Sequence, residues 1–407
     1  MPPRRKKTRR PRERVKASRE GWLWPAIIAA AIGAAIWYGR QPSSVPLPKQ
    51  ASPQTIVLSN DPRTLTLWGS NGLIGWTLPE DRQKPDPKPS ERKRESLTNY
   101  PFAIPTNTFD PLISASRPTQ NLLEAQIALA RIGISSGSID GRLGSQTRAA
   151  LRVFQRNAGI PATGQWDDRT RALLQIHEPV FSEYRVEAWD LKRLMPLPET
   201  WLEKSEQKRL DYETLLECIA EQSWTHPQLI QRLNPNLISV TPEIGMRLKI
   251  PCVKFPRVTE KAAELRIYLE ERCLQALDAR SNILAHFPCS IARQTEKRPL
   301  GLLRIRSILP NPHYVFDPAI FPESEEGRIL GRKLVLPPGP NNPVGSVWLG
   351  LDKPGYGIHG TPRPEDVGRT ESHGCFRLAN WNVEFLVSLV NTGTPVRVFT
   401  SASGGPK

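Results

Sequence analysis

The stretch "GIHGTPRPEDVGRTESHGCFRLANWN", Gly357 to Asn382, places two of the chain's six histidines and one of its five cysteines within seventeen positions. Acyl transfer needs a thiol, a base to take its proton, and donors for the oxyanion. Cys375, at the end of a strand and behind His373-Gly374, can expose its sulfur while nearby backbone N–H groups converge. Glycine at 374 removes the side chain that would keep substrate off that backbone. His359, on a neighbouring strand, is the candidate base. Arg377, next but one to Cys375, shares its strand face and can hold a carboxylate through two hydrogen bonds.

Other fates for this thiol stay open at this point. As zinc ligands, His359, His373 and Cys375 would leave a fourth position for water. Against that, His373 and Cys375 are only two residues apart and no acidic residue accompanies them as a base. A buried, inert cysteine sits poorly among serine, histidine and arginine. A disulfide would disarm the site, and pairing Cys218, Cys252, Cys273 and Cys289 leaves Cys375 over. No C-x-x-C spacing supports a zinc ribbon or a redox motif. His177, His226, His286 and His313 default to surface or packing roles.

The set "HGT" (from His359), "SHGC" (from Ser372) and Arg377 resembles the signature of the YkuD-like L,D-transpeptidase catalytic domain. "RPLG" (Arg298 to Gly301) and "LPPGPNNPVGSVWLGL" (Leu336 to Leu351) resemble that family's upstream segments. The likeness covers about residues 257–400 and implies a mainly β domain. It implies Cys375 as nucleophile and His359 as general base, oriented through its other nitrogen by the Gly360 carbonyl. The backbone amides of His373, Gly374 and Cys375, beside Ser372, would form the oxyanion hole, with Arg377 on a substrate carboxylate. It implies no cofactor and no metal. Asn382 stands where many relatives carry aspartate. Pro312 to Lys333, longer than in the shortest relatives, is a candidate lid.

Upstream, "AELRIYLEERCLQALDARSNILAHFPCSIARQ" reads as a hairpin of two alternating runs around Ala279 to Asn282, with Cys273 and Cys289 a candidate cross-strand disulfide or two buried thiols. Residues 180–252 read as two short helices broken at Thr225-His226-Pro227, then a turn and a strand. They resemble a LysM module, a βααβ glycan binder, with an insertion at about Lys192 to Leu210. A Cys218–Cys252 link would staple that piece. In residues 119–176, Leu122, Ala125, Leu129 and Ile132 recur at helical spacing, with Gly133 as the left-handed residue after the helix. Ser145 is the expected cap of a second helix, with Ala149, Ala150, Val153 and Phe154 on its apolar face. Asp167 or Asp168 starts a third, carrying Leu173 and Leu174. The segment resembles a three-helix peptidoglycan-binding domain through Asp140-Gly141, Gly144, Thr147, Phe154-Gln155 and Gly164.

Of the net charge of +16, +8 lies in residues 1–20. Residues 21–39 carry no charge and have Trp22, Trp24, Trp37 and Tyr38 at their ends. A helix of this length about spans a bilayer core of roughly 30 Å. We read an uncleaved signal-anchor with 1–20 as a cytoplasmic tail, in preference to a cleaved signal peptide. Residues 40–118 are a Pro-rich linker, with a small hairpin around Asn71-Gly72. The composite is a multidomain α+β chain: membrane anchor, three-helix bundle, LysM-like piece and β-rich catalytic domain. The expected partners are peptidoglycan stem peptides and glycan and, through 21–39, the inner membrane, with the catalytic domain in the periplasm or wall space. Nucleic acid is not expected. The expected activity is 3→3 cross-linking through a cysteine acyl-enzyme. Water or a lipoprotein lysine are alternative acceptors, and an idle wall anchor is the non-enzymatic alternative.

Overall fold

The computed structural model describes residues 116–369 and 374–402, together with the backbone of three short strands between 55 and 77. The basic tail, the apolar segment 21–39, most of the linker, Ser372 and His373 lie outside the described residues. The three strands, β1 (Thr55–Val57), β2 (Thr64–Gly69) and β3 (Gly72–Thr77), form an antiparallel meander. In it Gly69 faces Gly72, at the hairpin expected around Asn71-Gly72.

β4 (Arg117–Pro118) and β5 (Gln175–Ile176) pair and close the ends of a helical unit. α1 (Leu122–Arg131) is capped by Asn121, whose side chain accepts from Glu124 N. Gly133 follows at φ +81°, the left-handed residue that ends the helix. α2 (Ser145–Asn157) begins at Ser145, but its cap is Gly144, so Ser145 is not the cap expected of it. Ala150, Leu151 and Val153 form its buried stripe, while Ala149 and Phe154 are half-buried. α3 (Asp168–Leu173) is capped by Asp167; of the two leucines it was expected to carry, Leu173 is its last residue and exposed, and Leu174 follows it as the C-terminal cap and is buried. Two buried glutamines fasten the loops between the helices. Gln126 accepts from the amides of Asp140 and Gly141, and Gln155 accepts from that of Gly164, which sits at φ +69°. Such buried amides need every partner they find here.

β6 (Phe181–Arg185) and β7 (Arg247–Pro251) pair antiparallel and enclose α6 (Leu215–Gln222) and α7 (Pro227–Leu233), with Pro227 opening α7 where the break was expected. α4 (Ala188–Lys192) follows β6, and the insertion expected at about Lys192 to Leu210 holds α5 (Trp201–Glu206).

The remaining chain builds an eight-stranded sheet in the order β10-β9-β8-β17-β11-β14-β15-β16. Its strands are β8 (Glu264–Tyr268), β9 (Cys273–Leu277), β10 (Ile283–Pro288), β11 (Gly301–Pro310), β14 (Val347–Leu351), β15 (Gly357–His359), β16 (Phe376–Arg377) and β17 (Pro395–Phe399). The run expected as one hairpin arm is two strands, β8 and β9, because the polar tip Glu270-Glu271-Arg272 turns the chain, with Arg272 at φ +50°. β17–β8 and β15–β16 are parallel and the other neighbours antiparallel. The two edges meet: Ser290 N donates to Arg377 O (2.9 Å) and Arg377 N to Ser290 O (3.0 Å). α9 (Asn380–Leu389) packs its apolar side on the sheet core.

All five cysteines are thiols. Cys273 faces Pro288 across β9–β10 and Cys289 is the next residue, so the two side chains leave opposite faces of the sheet, and no cross-strand disulfide forms. Cys218 likewise forms no disulfide with Cys252. The stretch expected as a lid, Pro312 to Lys333, is folded as β12 (Tyr314–Phe316) and α8 (Glu325–Leu330), and the next strand, β13 (Leu334–Leu336), pairs with β12. It is pinned from the insertion: Trp201 stacks on Phe316 at 4.5 Å, and Glu326 accepts from the amides of Trp201 and Leu202, both at 2.8 Å.

Candidate active site

β15 and β16 run in parallel with Ile358 opposite Phe376 and His359 opposite Arg377. Because side chains alternate along a strand, Cys375, Arg377 and His359 share one face of this pair. Leu378 N donates to His359 O at 2.8 Å and locks that register.

His359 is buried, and its Nδ1 lies 2.7 Å from the Gly360 carbonyl oxygen. That oxygen can only accept, so Nδ1 carries the proton and Nε2 keeps its lone pair. Trp348, opposite His359 on β14, stacks on the imidazole with centroids 5.5 Å apart. Gly357 makes room for that indole, since a Cβ there would sit 2.5 Å from the ring. Burial, helped by the nearby Arg377 cation, pushes His359 down to about 3, so the ring is neutral at ordinary pH.

The half-buried Cys375 thiol reaches the Gly355 carbonyl at 3.5 Å. Burial raises it to about 11, against the pull of the Gly357 amide and the Arg377 charge. Thiol and imidazole are therefore both neutral at rest, which suits proton transfer during attack rather than a standing ion pair. Tyr314, from the folded stretch expected as a lid, lies within electrostatic reach of both Cys375 and Arg377. Among the described residues a Cβ on Gly374 would come nearest the Tyr356 ring, at 3.9 Å, an ordinary contact distance. The other buried cysteines contrast: Cys273 is pushed up to about 12 by burial, and Cys218 and Cys289 higher still.

The structure thus brings together Cys375, His359, Gly360, Gly374 and Arg377, whereas Ser372 and His373 are outside the described residues. Among the described residues no three His, Cys, Asp or Glu side chains are grouped to hold a metal. Sequence reasoning missed Trp348, Tyr314, Tyr356 and Asn380. The Asn380 side-chain oxygen accepts from the amides of Ser346 (3.1 Å) and Thr361 (3.0 Å), and so ties the turn after His359 to the turn before β14. Its signal was the asparagine five residues after the cysteine. Asn382, noted as a departure, points elsewhere and donates to Ser135 Oγ at 3.1 Å.

Residues 263–398 match the family model for the L,D-transpeptidase catalytic domain, YkuD. Residues 118–174 match the model described as "Putative peptidoglycan binding domain". The chain is 28% identical over 183 residues to "Putative L,D-transpeptidase YkuD" of Bacillus licheniformis, covering 45% of this chain and 92% of that protein. It is 46% identical over 59 residues to the like-named protein of Bacillus subtilis, covering 14% of this chain and 36% of the other. It is 42% identical over 74 residues to "Probable L,D-transpeptidase YbiS" of Escherichia coli K12, covering 18% and 24%. The chain thus spans most of the first relative and a minor part of the other two. A crystal structure of an L,D-transpeptidase from Xylanimonas cellulosilytica aligns over 70% of this chain and 98% of its own, at 13% identity and a TM-score of 0.29. By these sequence matches residues 263–398 are similar to the L,D-transpeptidase catalytic domain of the YkuD family, and residues 118–174 to a peptidoglycan-binding domain.

Proposed function

We propose that the chain is a wall-directed L,D-transpeptidase that forms 3→3 cross-links through a thioester on Cys375. The observation that carries this reading is the shared face of Cys375, Arg377 and a neutral His359 whose Nδ1 proton is held by Gly360. In the first half-reaction the thiol proton passes to His359 Nε2 as sulfur bonds to the carbonyl carbon of the third stem residue. The backbone amides around Gly374 and Cys375 take the oxyanion. The tetrahedral centre collapses by breaking the C–N bond, and His359 returns the proton to the departing D-Ala amine. In the second, a side-chain amine of a neighbouring stem attacks the thioester, loses its proton to His359, and the thiol is regenerated. Arg377 places its cation where it favours thiolate and carboxylate and disfavours imidazolium, which keeps the base ready.

In this reading the peptidoglycan-binding-type domain and the LysM-like region hold the wall, and residues 21–39 anchor the chain in the inner membrane with the catalytic domain outside it. A C-terminal fusion reporter tests the topology; a cytoplasmic signal would sink the wall assignment. Muropeptide mass spectrometry of cells carrying wild type or Cys375→Ala tests the chemistry. The 3→3 dimers are expected to vanish with the variant. Unchanged dimers, D-Ala release and lipoprotein linkage would refute the transferase reading.

A further inference from the structure

The peptide unit between Gly360 and Thr361 is used on both sides. Its carbonyl lies 2.7 Å from His359 Nδ1, and its N–H donates to Asn380 Oδ1 at 3.0 Å. A trans peptide is planar, with C=O and N–H pointing in opposite directions, so whatever fixes the N–H aims the carbonyl. The Asn380 amide is wedged there: a Cβ on either Gly345 or Gly360 would fall 2.1 Å from its oxygen. An asparagine amide has an acceptor end and a donor end, and the partners decide which way it faces. At the donor end stands a carboxyl group from another part of the chain. Asn380 Nδ2 lies 3.1 Å from both Glu221 Oε1 and Glu221 Oε2, with the Pro340 carbonyl at 3.3 Å as a lesser acceptor. Glu221 is on α6, in the 181–252 region, 159 residues before Asn380.

We infer that Glu221 is a positioning residue for His359: it orients the Asn380 amide, which holds the Gly360–Thr361 peptide, which holds the imidazole tautomer. The 181–252 region is in this way part of the active site and not only an appended module. The surroundings bear this out. Tyr212 OH donates to Glu221 Oε1 at 3.2 Å. Leu210 N donates to Pro338 O and Asn341 N to Leu210 O, both at 3.0 Å, and Asn341 Nδ2 reaches Glu217 Oε1 at 2.7 Å. Gly339 alone permits this approach, since a Cβ there would lie 2.0 Å from Leu210 O. The segment 210–221 therefore grips the 338–346 turn and the His359 turn together.

The inference rests on His359 acting as base to Cys375, and its test needs no wall substrate, so it stands or falls separately from 3→3 transfer. Glu221→Met keeps the bulk and removes the acceptor; Glu221→Gln keeps both. Two signals are read on the folded full chain: the Nδ1–H proton resonance of His359, and the iodoacetamide alkylation rate of Cys375, mapped by peptide mass. Glu221→Met is expected to broaden the resonance and slow alkylation by about tenfold, and Glu221→Gln to stay within about threefold of wild type. If the two variants behave alike in both signals, Glu221 is a packing residue and the inference is overturned. Should Glu221→Met not fold, Glu221→Gln paired with Tyr212→Phe gives the same decision. A sharp resonance and a wild-type rate in that pair support it, and loss in both refutes it.

Discussion

Two regions outside the catalytic sheet dock on it, and they do so by different chemistry. The helical unit at 118–176 meets the β10 edge through backbone: Ser135 N donates to His286 O at 2.8 Å and His286 N to Gly133 O at 3.0 Å. The 181–252 region meets the catalytic domain through the Leu210 backbone and, in addition, through carboxyl side chains, with Glu217 on Asn341 and Glu221 on Asn380. A backbone ladder holds position whatever the side chains are, and it carries no charge into the contact. A carboxyl–amide contact depends on one residue and on its protonation. The first kind suits a module that must only be held; the second suits one that bears on the catalytic turn.

The largest effect that tests this contrast is His359→Ala. With the base gone, turnover should fall by roughly 10²–10⁴, and alkylation of Cys375 at neutral pH should slow as well. If alkylation were unchanged, the Glu221 contact would have no chemistry to act on, and the two docking regions would be equivalent.

A second effect is the pH dependence of stability, in which the two contacts have opposite signs. Burial lifts Glu221 to about 8 and Glu384 to about 7 from a usual 4.5. Between those values the native chain keeps protons that the unfolded chain releases, so stability declines as pH rises from about 4.5 to about 8. At the helical contact burial lowers His286 from 6.5 to about 3. There the unfolded chain binds the extra proton, so stability rises with pH up to about 6.5 and is flat above. In melting scans across pH, Glu221→Gln should flatten the upper decline and His286→Gln the lower rise. A decline untouched by Glu221→Gln would mean that Glu384 and its neighbours produce it.

Much of the site was legible because its donors lie within one stretch of sequence. His359, Gly360, Gly374, Cys375 and Arg377 come from two adjacent parallel strands, and a strand pair keeps sequence neighbours near in space. The helices of 118–174 were legible from their period, yet Ser145 was misread as a cap, since a serine at the first helical position looks the same as one just before it. The β8–β9 turn was hidden because Arg272 at φ +50° has no glycine or asparagine to announce it. Glu221 was illegible for a different reason. A glutamate on an amphipathic helix reads as a solvated face, and its partner is 159 residues away.

The smallest expected effect lies at the helical contact, and it is the sharper for being small. Asn382 Nδ2 donates to Ser135 Oγ at 3.1 Å, both residues being buried, and this bond is the side-chain counterpart of the backbone ladder beside it. Asn382→Ala leaves the Ser135 hydroxyl without that donor, at a cost of about 1–2 kcal/mol in stability, read as a lower urea midpoint. The alkylation rate of Cys375 should stay within about twofold of wild type, because the Ser135 contact does not touch the Gly360–Thr361 peptide. Asn382 and Asn380 sit two residues apart at the start of the same helix, so their different effects on rate would separate holding a domain from aiming a base. Equal slowing by Asn382→Ala and Glu221→Met would show instead that α9 transmits any disturbance to His359, and the distinction between the two contacts would be lost.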